Sequence, residues 1–318
     1  MKKELLSIVV ISKNESKVIE KCLKSIIISI KEINDFDYEL IMVDSSEDNT
    51  KEIAKNILIN ERLSYRIISL KSEKYTAALS RKIGKNESKG DFILFLDADM
   101  ILYKNFIKNG IDYLNKNQKN NIIGCIGRRF DVFFENEKIS KFVEFEGLLN
   151  NGFNIGGGFL INNKLLKVLS INFNENLYVR EESDFAHKLL KKGYIFKKIN
   201  NKMFIHYNYK NSKRNIIDKL NLGSVKLGIS LSYLIKTKSL NKKYLFKEFI
   251  FPLLLIIIVI LSFFKTPLLS FFICIIYVLI YRIRFLSPII ILLNLIIPKK
   301  NINYKIEDFS ASPPVIGE

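Results

Sequence analysis

Four short apolar runs, separated by stretches of helical periodicity, fill the first hundred residues, and this alternation restricts the fold more than any other feature. Leu5–Ile11, Glu39–Val43, Tyr65–Leu70 and Phe92–Leu96 read as strands. Between them, Val18, Cys22, Ile26 and Ile30 recur at helical spacing, and Thr50–Leu58 and Tyr75–Glu87 are helix-like. Ser12 or Asn14 is placed to cap the first helix. Strands alternating with helices imply a doubly wound, mainly parallel α/β sheet. Downstream, Ile122–Ile126 and Arg129–Phe134 read as strands and Ile139–Leu149 as a helix. Gly156-Gly157-Gly158 interrupts the pattern before Phe159-Leu160-Ile161, where it allows close backbone approach or a tight turn. Glu182–Lys192 is helix-like, with Gly193 to end it, and Ile195–Ile199 and Met203–His206 are extended.

The 318 residues carry a formal charge of +18, which invites a nucleic-acid reading. Its distribution argues against one. Residues 196–247 hold thirteen Lys or Arg and one acid, Asp218, directly before the most apolar part of the chain. Basic residues flanking a membrane segment mark its cytoplasmic side. Phe249–Phe264 and Leu268–Tyr281 are nearly all apolar, with Lys265-Thr266-Pro267 between them, and Phe285–Ile297 is a third run. A spanning helix needs roughly 17–25 apolar residues, so the first two runs form a candidate transmembrane helical hairpin and the third permits another crossing. Residues 216–234 pattern as a helix that lies on the membrane surface or packs on the domain's own core. The expected organisation is a catalytic domain over 1–210, a basic membrane-surface segment over 211–247, transmembrane helices over 248–300 and a mobile tail over 301–318. The expected place is the cell membrane, with the catalytic domain cytoplasmic. The N-terminus imitates a signal peptide only weakly, since no small-residue cleavage site follows its apolar run. Cys22, Cys125 and Cys274 are far apart, without metal-site spacing or a disulfide framework, which suits a reducing compartment.

The candidate chemistry sits at strand ends. Phe95-Leu96-Asp97-Ala98-Asp99 closes an apolar strand with two carboxylates, hard oxygen ligands suited to Mg²⁺ or Mn²⁺ beside a phosphate. Asp44 follows another strand, Arg81 lies in the helix before the Asp97/Asp99 pair, Glu181, Glu182 and Asp184 open a later helix, and His206 ends a late strand. Each alone has a plain structural role available, as a cap, a dipole partner or a core-edge side chain. Their order and spacing together resemble the inverting, GT-A-fold glycosyltransferases of family 2, from about Leu6 to His206. Ile8-Val9-Val10-Ile11-Ser12-Lys13-Asn14-Glu15 is similar to the family's opening strand and loop. Val43-Asp44-Ser45-Ser46-Glu47-Asp48-Asn49-Thr50 resembles its Val-Asp-rich turn, with Ser45 where a second Asp often stands.

The resemblance implies roles. Asp44 would contact the nucleotide base, Arg81 the nucleotide or diphosphate, Asp97 the ribose and metal, and Asp99 the metal itself. Gly156, Gly157 and Gly158 would form the acceptor-side loop. Glu182 occupies the place of the family's base, with Asp184 as the neighbouring alternative, and His206 resembles a late histidine that serves the metal or diphosphate. The implied donor is a nucleotide sugar; the location beside the apolar block points to the lipid bilayer and to a lipid-linked or glycan acceptor, and the charge distribution to no nucleic acid. Two other readings remain at this level: a metal-dependent nucleotidyltransferase, which usually needs an early glycine-rich loop that Ser12-Lys13-Asn14-Glu15 lacks, and an inactive membrane scaffold with a transferase fold.

Overall fold

A computed structural model describes residues 3–33, 35–61, 63–72, 75–135, 137–149, 154–209, 254 and 304–311. The chain divides into two compact units. Met1–Glu175, Glu181–Lys210 and Ile302–Glu318 form the first, and Asn176–Arg180 with Asn211–Asn301 the second. The basic segment and the three apolar runs, apart from Leu254, fall outside the described residues. Among those described, no helix is long and apolar enough to cross a membrane.

The first unit is built on β1 (Glu4–Ser12), α1 (Ile19–Ile30), β2 (Phe36–Asp44), α2 (Thr50–Asn60), β3 (Tyr65–Ser72), α3 (Ala77–Glu87), β4 (Phe92–Asp97) and β5 (Met100–Leu102). It continues through α4 (Phe106–Lys116), β6 (Ile122–Glu135), β7 (Lys138–Phe145), β8 (Phe159–Asn162), α5 (Asn163–Leu169), α6 (Glu181–Lys191), β9 (Ile195–Tyr209) and β10 (Tyr304–Ala311). The sheet order is β10-β3-β2-β1-β4-β8-β6-β9-β5, with β7 beside β6. The β3-β2-β1-β4 block is parallel, as is β6 with β9, while β8, β5, β7 and β10 run antiparallel to their neighbours. Every residue of β1 from Leu6 to Ser12 is buried. Successive side chains of a strand point to opposite faces, so both faces of the sheet are covered here. The covering helices include α1, which packs on α2 and α4, and α3, which packs on β1, β2 and α6. Gly84 of α3 lies so near the sheet that an added Cβ would meet Val9 Cγ1 at 2.3 Å.

Beyond β4 the core is aromatic. Phe95 stacks on Phe159 at 4.8 Å, Phe173 stacks on Phe185 at 4.2 Å, and Phe159 meets Phe196 edge-on at 5.6 Å. Each such ring contributes about 1.5–3 kcal/mol by burial, which fixes the antiparallel half of the sheet against the parallel half.

Five sequence expectations change. Ile139–Leu149 is a strand and turn, not a helix. Its apolar spacing fits both periods, and the pairing of β7 with β6, including the Phe130–Phe142 stack at 5.5 Å, decides the outcome. The two strands expected at Ile122–Ile126 and Arg129–Phe134 are one strand, interrupted by register shifts around Arg128, and the pair expected at Ile195–Ile199 and Met203–His206 is likewise continuous. Neither Ser12 nor Asn14 caps α1. Ser12 belongs to β1, Asn14 Oδ1 accepts the Glu47 N–H, and the Glu15 carbonyl receives the first free amides of the helix. The tail expected to be mobile after Lys300 carries β10, which covers the β3 edge through Arg66–Asp308 and Lys71–Glu307 ion pairs.

Candidate active site

The register sets the site. Ser12 pairs with Asp44 across β1 and β2, and Ile11 pairs with Asp97 across β1 and β4. The carboxyl ends of three adjacent parallel strands therefore align, and ligands of open α/β sheets bind in that crevice. Asp44 is 3% exposed. Its Oδ1 accepts from the Ser12 and Ser46 hydroxyls, and its Oδ2 receives only a long 3.3 Å contact from the Ser46 N–H.

Arg81 projects from α3 and is 1% exposed. Nη1 donates to Glu181 Oε1 at 2.6 Å, and Nη2 donates to Asp97 Oδ1 at 2.6 Å while lying 3.2 Å from Glu182 Oε1. A single cation thus serves three carboxylates. Burial opposes its charge, but Asp97, Glu182 and Glu181 outweigh that and raise its pKa further. The acids feel the shortage of positive charge. Burial, with the charge of Glu182 adding and that of Arg81 opposing, pushes Glu181 up to about 8. Asp97 is also raised, by burial first, with Arg81 opposing and Asp99 and Glu182 adding.

Asp99 belongs to a second cluster. Its Oδ2 lies 3.0 Å from His206 Nε2 on β9, and its Oδ1 is buried with no hydrogen-bond partner among the described residues. His206 is raised above the usual imidazole value: burial opposes the charge, and the hydrogen bond and charge of Asp99 prevail. Glu15, in the loop after β1, is pushed up to about 8 by burial and then by the charges of Asp99 and Asp97. Among the described residues, the carboxylates of this region outnumber the cations in contact with them.

The glycine loop closes on the same carboxylates. An added Cβ at Gly157 would stand 2.0 Å from Asp97 Oδ2, so only glycine leaves room for that side chain. Gly156 has φ +69°, the left-handed region that favours glycine. Gly158 backs onto Phe204 and Leu96.

Arg81, Asp97 and Glu182 are thus brought together by direct contact, as are Asp99 and His206, with Asp44 farther along the edge. Asp184 is turned elsewhere: its side chain is fully buried and pairs with Lys188 at 2.7 Å, one helical turn on. Sequence reasoning assigned no role to Glu15, Arg129 or Asp131, and placed Glu181 only as a helix opener. Arg129 and Asp131 share one face of β6, but only the strand register brings them to His206.

A cation fits this donor set in part. Asp99 Oδ1 is an orphaned buried acceptor beside a second carboxylate and an imidazole, all suited to a divalent ion. Among the described residues, no three His, Cys, Asp or Glu side chains converge as a ready cage.

An Asp-x-Asp pair, a buried arginine and a glutamate-led helix thus meet at the carboxyl ends of one sheet. The chain belongs to glycosyl transferase family 2, whose profile matches residues 7–184, and it is a glycosyltransferase. That membership sets aside the nucleotidyltransferase reading. The chain is 26% identical over 136 residues to the poly(ribitol-phosphate) beta-N-acetylglucosaminyltransferase TarP of Staphylococcus aureus (strain N315), a stretch covering 42% of this chain and 38% of that relative. Its fold is similar to S. aureus TarS 1–349 in complex with UDP-GlcNAc, with a TM-score of 0.52 at 18% identity over 76% of this chain and 74% of that one. It is also similar to the mannosyltransferase PcManGT from Pyrobaculum calidifontis in complex with GDP-Man and Mn²⁺, with a TM-score of 0.52 at 14% identity over 74% and 65% of the two chains.

Proposed function

We propose that this glycosyltransferase is inverting and depends on a divalent metal, moving a sugar from a nucleoside-diphosphate donor to a hydroxyl of a lipid-linked or glycan acceptor at the cytoplasmic membrane face. The observation that carries this reading is Asp99 Oδ1, buried without a hydrogen-bond partner among the described residues, in a site whose described carboxylates outnumber its described cations. An anionic diphosphate cannot settle against that potential unless positive charge comes with it. Asp99, with Asp97 and His206 beside it, would hold Mg²⁺ or Mn²⁺; having no complete protein cage, they leave positions for phosphate oxygens, as Mg²⁺ sites commonly do. The bound ion would neutralise charge developing on the leaving diphosphate.

The chain's own groups do the rest. Arg81 fixes Asp97 and Glu182 relative to each other and adds positive charge at the donor side. Asp44 Oδ2 retains acceptor capacity for a donor N–H of the base. Glu182, 18% exposed, is the reading favoured for the group that takes the acceptor hydroxyl's proton, whereas Asp184 is buried and engaged with Lys188. A single displacement then inverts the anomeric carbon, and the diphosphate leaves without needing a proton.

UDP-GlcNAc and GDP-Man, the donors held by the similar structures, are the first to test. The experiment is a donor panel with Mn²⁺ or Mg²⁺ and a membrane extract as acceptor, scored for nucleoside diphosphate and for product anomer. A product retaining the donor's configuration removes the single-displacement scheme. Transfer unaffected by chelation removes the metal.

Within the membrane reading, β9 and β10 bear on the number of crossings. Residues 210–303 connect two strands of one sheet. An anchor built from them would leave and return on one side of the bilayer, which favours an even number of crossings and so the hairpin over three spans.

A further inference from the structure

From Arg129 onward the ribbon of β7, β6 and β9 has two unlike faces. One holds Arg129 and Asp131 of β6 with His206 of β9, the polar cluster of the site. On the other, Phe130 and Val132 of β6 pair with Ile205 and Tyr207 of β9, and Phe134 follows on β6. On β7, Phe142 pairs with Val132 and Ile139 with Phe134, because the register shift between Phe133 and Phe134 leaves Ser140 out of the ladder. That extra residue keeps Ile139 and Phe142 on the apolar face, although they stand three apart in sequence. Phe130, Val132 and Phe134 are buried, whereas Ile139 is 63% and Phe142 52% exposed.

Cations surround this face. Lys202 lies over the Phe130 ring at 5.7 Å and Lys21 over the Tyr207 ring at 5.2 Å, and Lys138 and Lys141 of β7 are exposed. Glu137, at the hairpin turn, is met by Lys17 at 3.5 Å. Apolar and aromatic side chains ringed by lysines suit the boundary between acyl chains and anionic lipid heads. The position fits as well. β4 and β6 both run antiparallel to β8, so the β6–β7 turn stands at the end of the sheet that carries Asp44 and Asp97. β9 finishes there too. Tyr209 pairs with Phe134 and Phe134 with Ile139, so Ile139 is two strand spacings, about 10 Å, from the point where the chain enters residues 210–303. That stretch holds the rest of the basic segment and the three apolar runs.

We infer that the apolar face of this ribbon, with Ile139 and Phe142 as its open part, docks on the anionic surface of a bilayer and holds the catalytic end of the sheet at the lipid heads. This rests on the proposed membrane reading of residues 248–300. A tether alone lets the domain turn; a second contact beside the exit of the chain sets which end faces the membrane.

The chain contains no tryptophan, so Phe142→Trp places a single reporter on the patch and keeps an aromatic ring against Phe130. The control is Val168→Trp on α5, 83% exposed. It lies at the opposite end of the sheet, since β8 ends beside the start of β4 and the Asn163 N–H donates to the Asp91 carbonyl. The full chain is reconstituted into phosphatidylcholine vesicles with or without phosphatidylglycerol, with and without bromine on the acyl chains. With phosphatidylglycerol, the Phe142→Trp emission should move to shorter wavelength and be quenched by bromine, while that of Val168→Trp should do neither. Adding Ile139→Glu to Phe142→Trp should abolish the quenching. Phe142→Trp protein that floats with the vesicles but is not quenched overturns the inference and leaves the anchor standing. Protein that does not float removes the anchor and the inference together. Equal quenching at the two sites, or quenching that Ile139→Glu leaves unchanged, overturns it as well. Equal quenching with phosphatidylcholine alone overturns the choice of an anionic surface. A shift without quenching that grows with protein concentration assigns the patch to a second copy of the chain instead.

Discussion

Arg81 holds three carboxylates with one charge, and its planar fork is what lets it reach Asp97 and Glu181 through different nitrogens. Arg81→Lys keeps the charge but not the fork, and breaking such a buried pair costs about 3–5 kcal/mol. Thermal unfolding should show that loss together with lost transfer. Glu181→Gln isolates the proton. A carboxyl raised from its ordinary 4.5 to about 8 in the folded protein keeps a proton that the unfolded chain releases. Stability from this group is therefore full below about pH 4.5 and falls as pH rises toward 8. The melting temperature of Glu181→Gln should match the unmodified chain near pH 5 and exceed it increasingly up to pH 8; parallel curves would refute this. At Gly157 an added methyl would collide with Asp97 Oδ2. Gly157→Ala should lower kcat/KM by about a hundredfold, as small misplacements of reacting groups do, with a smaller effect on melting.

At the scale of elements, the most consequential strand is β10. It arrives from beyond the apolar block and shields β3, which would otherwise be an open edge inviting association. Its ion pairs are half-exposed, and each is worth about 0–1 kcal/mol. Asp308→Ala should accordingly leave the melting temperature nearly unchanged. Truncation after residue 303 should lower it and raise the aggregated fraction measured by light scattering; a truncated chain as monodisperse as the full one would show that the edge needs no cover. The β6–β9 pair works the other way, as a long parallel ladder whose register shifts deliver Asp131 to His206.

For the whole molecule, the proposed anchor has a clean test. Removing everything after residue 248 would also delete β10, so loss of function there would mix two causes. Replacing residues 248–300 with a polar linker keeps β10 and should move the protein from the membrane to the soluble fraction while donor binding persists. An unchanged membrane fraction would contradict the anchor. A reporter at the C-terminus of the full chain should be found on the same side as the catalytic domain.

The parallel half of the fold was legible because burial on both faces forces continuous apolar runs, as in Leu5–Ile11 and Phe92–Leu96. Asp44, Asp97 and Asp99 were legible for a related reason: each breaks such a run at its carboxyl end, where sheets of this kind bind. Beyond β4 most strand pairs are antiparallel, and Ile139, Phe142 and Val143 stand at helical spacing, so only pairing with β6 settled β7. The contact of Arg81 with Glu181 spans 100 residues of sequence, and that of His206 with Asp131 spans 75. Sequence fixes which charges exist and which ends of elements carry them; which charge neutralises which is decided by register and burial, because electrostatic contacts depend on distance in space and not along the chain.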